Sequence, residues 1–144
     1  MIIMNRNTII ENINQAPLGL NISLGEHNDL VDDLIHGGVT EVVSQMNDEG
    51  VTDSYDVAEG IGAEEFLDMI GVDIDYLCDV NEDVDYSDMH PISYDEETHQ
   101  DNVKSYIQYD ITSAISHAVR TIIENIYGDD PCSMPNNLSW GEEG

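Results

Sequence analysis

Between Glu26 and Asp101 the chain carries 24 acidic residues and no lysine or arginine. A segment this long has no strong cation of its own to pair with. However it folds, its carboxylates must face water, and the apolar residues between them must turn toward some less charged part of the chain. The remaining residues are arranged to meet that demand. Residues 1–25 hold only Arg6 and Glu11, and residues 102–127 balance Lys104 and Arg120 against Asp110 and Glu124. The last stretch, 128–144, adds Asp129, Asp130, Glu142 and Glu143. The formal charge of −28 is therefore regional, unlike an even solubility coat.

Such a charge repels DNA, RNA and anionic lipid, so the expected partners are basic proteins or cations and not nucleic acid itself. Codon bias does not explain it. The chain has 17 Ile and 12 Asn, whose codons are rich in A and T, yet Lys, whose codons share that bias, occurs once. The lysine deficit looks selected, and the Ile and Asn content fits salt adaptation poorly. With 40% hydrophobic residues, 144 residues suffice for one domain with a core. No apolar run approaches the ~20 residues that span a bilayer, and Met1–Asn7 lack a signal-peptide layout, so no membrane partner and a cytoplasmic location are expected. Cys78 and Cys132 show no zinc or redox spacing and read as bland thiols.

The apolar periodicity is helical nearly throughout, which predicts a mainly α fold. Thr8 and Glu11 have capping-box spacing for a short helix with Ile9, Ile10 and Ile13 inward, ended by Pro17 and Gly19. Apolar residues from Leu30 to Met46 continue across Gly37-Gly38, which predicts two helices or one bent helix. Short helices follow near 53–59, at Ala63–Ile70 and at Ile74–Val80, the last capped by Asp73 in preference to a strand at 72–76. Residues 81–94 have loop composition. From about Thr98 to Tyr127 a broad stripe including Val103, Ile107, Ile111, Ile115, Ile122 and Ile126 predicts a helix of ~45 Å, stopped by a Gly128 cap. Its other face is nearly uncharged, so it is expected to be either the central core helix or a dimer seam, and a homodimer through residues 103–126 is expected. The domain expectation is one acidic helical unit over 1–127, with its acidic face at 26–101 and core helix at 98–127. A loosely ordered acidic tail is expected at 128–144, with Trp140 as its anchor.

Chemistry finds little foothold. The loop from Asp79 to Glu97 fails the EF-hand pattern in both registers, since Val84 or His90 falls where glycine is needed for the turn. The five histidines are scattered, and no nucleophile elbow, phosphate loop or dinucleotide fingerprint occurs. Neither a catalytic role nor a cofactor nor a metal is expected. The acids themselves form the candidate partner-binding set: Asp29, Asp32 and Asp33; Glu64, Glu65 and Asp68; then Asp73, Asp75, Asp79, Glu82, Asp83, Asp85, Asp88, Asp95, Glu96 and Glu97. At helical spacing such acids share a face and repel, and ordinary solvated faces mix signs.

Duplex DNA displays one negative charge per ~1.7 Å, so 24 acids could stand for ~40 Å of duplex. In its base-free stretch from Glu26 to Asp101, its helical pattern and its size, the chain resembles the phage DNA-mimic inhibitors of the Ocr-like antirestriction type and the acidic anti-CRISPR proteins. The resemblance involves no shared motif. It implies inhibition of a basic DNA-binding protein or nuclease, such as a restriction–modification or CRISPR effector, by occupying its DNA channel. The alternative expectation is an acidic chaperone or adaptor that sequesters a basic partner such as a histone-like protein.

Overall fold

The computed structural model describes residues 2–13, 18–82, 99–128 and 138–141. It is mainly helical. In chain order the elements are β1 (Ile2–Met4), α1 (Arg6–Glu11), a 3-10 segment (Gly25–Leu30), α2 (Val31–Glu49), α3 (Ser54–Ile61), α4 (Ala63–Met69), α5 (Ile74–Val80), α6 (His99–Tyr127) and β2 (Leu138–Trp140). No helix among the described residues is long and apolar enough to cross a membrane.

The neutral helix organises the rest. α6 packs against all five other helices and β1. Ile107, Ile111, Ile115 and Ile122 are at most 1% exposed, and Ile126 packs half-buried against the same core. These side chains meet the apolar faces of α1–α5, including Ile9, Leu34, Val39, Val42, Val43, Phe66 and Leu77. The stripe is thus consumed inside one chain. Within the chain α6 serves as the core helix, its stripe packed against α1–α5.

α2 runs unbroken through Gly37-Gly38. Gly38 is a point of close approach. A Cβ at Gly38 would lie 2.7 Å from Ile115 Cδ1, so the missing side chain lets α2 lie directly on α6. The helix ends at Gly50, whose φ of 70° lets Val51 N–H close on the Met46 carbonyl at 3.0 Å.

Caps set the shorter helices. Asp53 accepts from the N–H groups of Tyr55 and Asp56 at the start of α3, and Asp73 accepts from Asp75 N–H at the start of α5, as its position predicts. α1 begins earlier than the Thr8–Glu11 spacing suggests, because Asn5 is the cap and accepts from Thr8 N–H at 3.1 Å. At the end of α6 the Gly128 N–H bonds to the Glu124 carbonyl at 2.9 Å.

Most of the segment expected as a loosely ordered tail, residues 129–137 and 142–144, lies outside the described residues. Leu138–Trp140 pair in parallel with Ile2–Met4, in the register Ile3 opposite Ser139. Trp140 donates its indole N–H to Val51 O at 2.7 Å. Two three-residue segments carry too little periodic pattern to be read as strands; pairing between remote parts of the chain creates them.

Candidate partner-binding surface

Two buried acids show what burial demands here. Asp110 on α6 is 4% exposed and accepts three hydrogen bonds, from Asn21 N–H and Asn21 Nδ2 at 3.0 Å and from Ile22 N–H at 3.2 Å. Burial still pushes its carboxyl above the ordinary value, with those donors pulling the other way. Glu124, also buried, receives Arg120 Nε at 3.0 Å. Asn81, 2% exposed, clamps the same segment that Asp110 holds: it accepts from Ser23 N–H and donates to the Ser23 and Leu77 carbonyls. These contacts tie the end of α5 to residues 21–23.

Every other described acid from Glu26 to Glu82 is exposed. They come from the first turns and outer faces of short helices whose opposite faces are buried. Glu64, Glu65 and Asp68 lie on α4, Asp73 caps α5, and Asp75 and Asp79 ride on it. Asp29 sits in the 3-10 segment, and Asp32 and Asp33 in the first turn of α2. Asp83, Asp85, Asp88, Asp95, Glu96 and Glu97 lie outside the described residues, as does most of the Asp79–Glu97 loop tested for calcium.

The structure gathers part of this set along one side of α6. Three hollows succeed one another there. The first, about 390 Å³, is lined by Thr52–Tyr55 with Ser116, His117 and Arg120 of α6. The second, about 590 Å³, adds Tyr55, Glu59, Glu64 and Glu65 to Gln108, Tyr109 and Thr112. The third, about 600 Å³, sets Glu64, Asp68, Asp73 and Asp75 beside Lys104. Each shares a lining residue with the next, Tyr55 and then Glu64. From Lys104 to Arg120 the helix rises ~24 Å. Thr52 and Asp53 also border a further hollow of about 740 Å³ that contains Glu49 and Asp56. Asp29, Asp32 and Asp33 line none of these four hollows, so the structure does not bring them into the same surface.

Seven carboxylates (Asp53, Glu59, Glu64, Glu65, Asp68, Asp73 and Asp75) thus border the three hollows along α6. One DNA strand carries about seven phosphates over the same ~24 Å. The density is that of a single strand and not of the duplex suggested by counting all 24 acids. Neutralisation is slight. Lys104 Nζ reaches Glu64 Oε1 at 3.2 Å, both largely solvated, which modifies the expectation that nothing offsets these charges. Crowding is felt: Asp53 above all, with a smaller push from Glu59, holds the Asp56 carboxyl above its ordinary value. Burial, then Asp75, likewise raise the Cys78 thiol, which therefore stays protonated.

Asp53, Asp56 and Glu59 escaped the sequence-based set although the signal was present. They recur every third residue in a segment already expected to be helical, which places them on one face. Tyr55 and Tyr109 had no such signal. Comparison with protein-family models, with curated proteins and with solved structures gives no match to the chain.

Proposed function

We propose that this chain is a DNA-mimic inhibitor that occupies the DNA-binding channel of a host nucleic-acid-binding protein, a restriction–modification or CRISPR effector. The observation that carries the reading is the row of seven exposed carboxylates beside α6, at the linear charge density of a phosphate strand and mounted on a continuous apolar core. A channel that tracks phosphates with Lys and Arg would meet negative charge at a comparable average density. The helices that carry the row are packed on α6, so less ordering is needed on binding. The chain would act by occupancy, one copy per channel.

The test is a cleavage assay on a panel of restriction and CRISPR nucleases with increasing amounts of the chain. Near-stoichiometric inhibition is expected, relieved by competing duplex DNA and weakened at least about tenfold between low and physiological salt. Inhibition indifferent to salt, or none across the panel, would remove the mimic reading. Tight binding to a histone-like protein with every nuclease unaffected would move the assignment to a sequestering adaptor.

A further inference from the structure

The middle hollow beside α6 differs in kind from its neighbours, because two of its walls are phenol rings. Tyr55 comes from α3 and is half-buried; Tyr109 comes from α6 and is 42% exposed. Neither belongs to the hydrophobic core, whose buried phenol is Tyr106 one turn away. Tyr55 lies within electrostatic reach of Glu59 and Tyr109. Burial, then Glu59 and Tyr109, push its hydroxyl up, so the ring stays neutral at physiological pH. Glu59, Glu64 and Glu65 rim the space, and Gln108 and Thr112 add neutral polar groups. Lys104 is spent on Glu64.

Carboxylates alone would attract any cation and say nothing of its shape. Aromatic faces beside carboxylates discriminate, because a guanidinium is flat, weakly hydrated and able to stack on a ring while its N–H fork grips a carboxylate. An ammonium is compact and more strongly hydrated, and gains less from the rings. The volume of about 590 Å³ falls within the range of small-ligand sites.

We infer that this hollow receives an arginine side chain of the partner, with its guanidinium against Tyr55 and Tyr109 and its N–H groups on Glu59 or Glu65. The inference rests on the mimic reading for the source of that arginine, a phosphate-tracking residue of a DNA channel. It does not rest on it for the chemistry of the hollow. One specific anchor in an otherwise diffuse field would fix the register of the partner on the strip, which charge density by itself does not do.

The test titrates N-acetyl-argininamide into the full chain and follows the tyrosine ring signals by NMR. Saturable shifts at Tyr55 and Tyr109 are expected, with Tyr127 unmoved, and N-acetyl-lysinamide should bind at least about threefold more weakly. Tyr109→Leu keeps every charge and alters an exposed side chain, so it should fold normally and lose about three- to tenfold in affinity for the arginine probe. Equal, unsaturable responses to both probes, or unchanged affinity in Tyr109→Leu, overturn the pocket. The two readings fail separately. Nuclease inhibition that survives in full in Tyr109→Leu, with no saturable probe binding, removes the pocket and leaves the mimic. Saturable arginine binding with no nuclease inhibited supports the pocket and removes the mimic.

Discussion

α6 and the run of α3, α4 and α5 lie against one another and treat acidic residues in opposite ways. On α6 the two buried carboxylates are each supplied with donors: Asp110 with three N–H groups from Asn21 and Ile22, Glu124 with Arg120. On α3–α5 the acids outnumber any donor, and nearly all are left to water. The difference follows from dielectric environment. In the interior an unsatisfied charge is prohibitively costly, whereas at the surface repulsion between neighbours is mild enough to be outweighed by burial of the opposite helix face. A chain can therefore carry an extreme field if it confines it to short amphipathic helices and backs them with one long neutral helix.

The sharpest way to break this comparison is to give α6 an acid without donors. Ile115→Asp should cost more than about 4 kcal/mol and abolish cooperative unfolding, measured by circular dichroism and thermal melting. A folded variant would mean that α6 is not the core. Removing donors' reason to exist is the next test: Asp110→Ala strands the N–H groups of Asn21 and Ile22 and should cost about 3 kcal/mol in urea unfolding. Packing comes third. Gly38→Ala forces a methyl onto Ile115 and should destabilise by about 2 kcal/mol. Its neighbour Gly37→Ala meets only Met69 Sδ at 3.6 Å and should stabilise by up to about 1 kcal/mol through helix propensity. Equal effects at the two glycines would contradict the close approach of α2 to α6.

The surface side should respond least in stability and most in activity. Changing Asp56, Glu59, Glu65 and Asp68 to their amides should raise the melting temperature slightly by relieving repulsion. It should also weaken nuclease inhibition by about tenfold or more. The control, neutralising Asp129, Asp130, Glu142 and Glu143, removes equal charge; if it weakens inhibition as much, total charge and not placement is at work. Acidification probes both regions together. Burial raises the Asp110 carboxyl and Asp53 raises that of Asp56, each above the ordinary 3.8. Folding strengthens their hold on protons, so stability is greatest below that value and declines as pH rises through the raised ones. The urea midpoint should be higher near pH 4 than at pH 7, and the reverse would show that both carboxylates gain from folding.

Legibility in the sequence followed the range of the interaction. The helical class, the stripe from Val103 to Ile126 and the Asp73 cap depend on residues a few positions apart, and all are visible as periodicity or spacing. The β1–β2 pair and the role of Gly38 depend on contacts between distant segments, which leave no local trace. The candidate surface divides in the same way. Glu64, Glu65 and Asp68 were visible as one helix face, but their union with Asp73 and Asp75, and the exclusion of Asp29, Asp32 and Asp33, required the packing of α4 and α5 on α6. The tyrosine-walled hollow needed two elements some fifty residues apart to meet.

The bond from Trp140 to Val51 also equips the chain with its own optical gauge. There is one tryptophan, and its indole is hydrogen-bonded to the carbonyl of a residue that borders the same hollow as Asp53 and Asp56. Its emission therefore reports on a place where remote segments converge, independently of the helical signal that dominates circular dichroism. During unfolding, an early red shift with helicity intact would mark release of 138–141 from Val51 before the helices separate. During titration with a partner, a change in the same emission would show contact reaching the Asp53 end of the strip, with no label attached and no residue replaced.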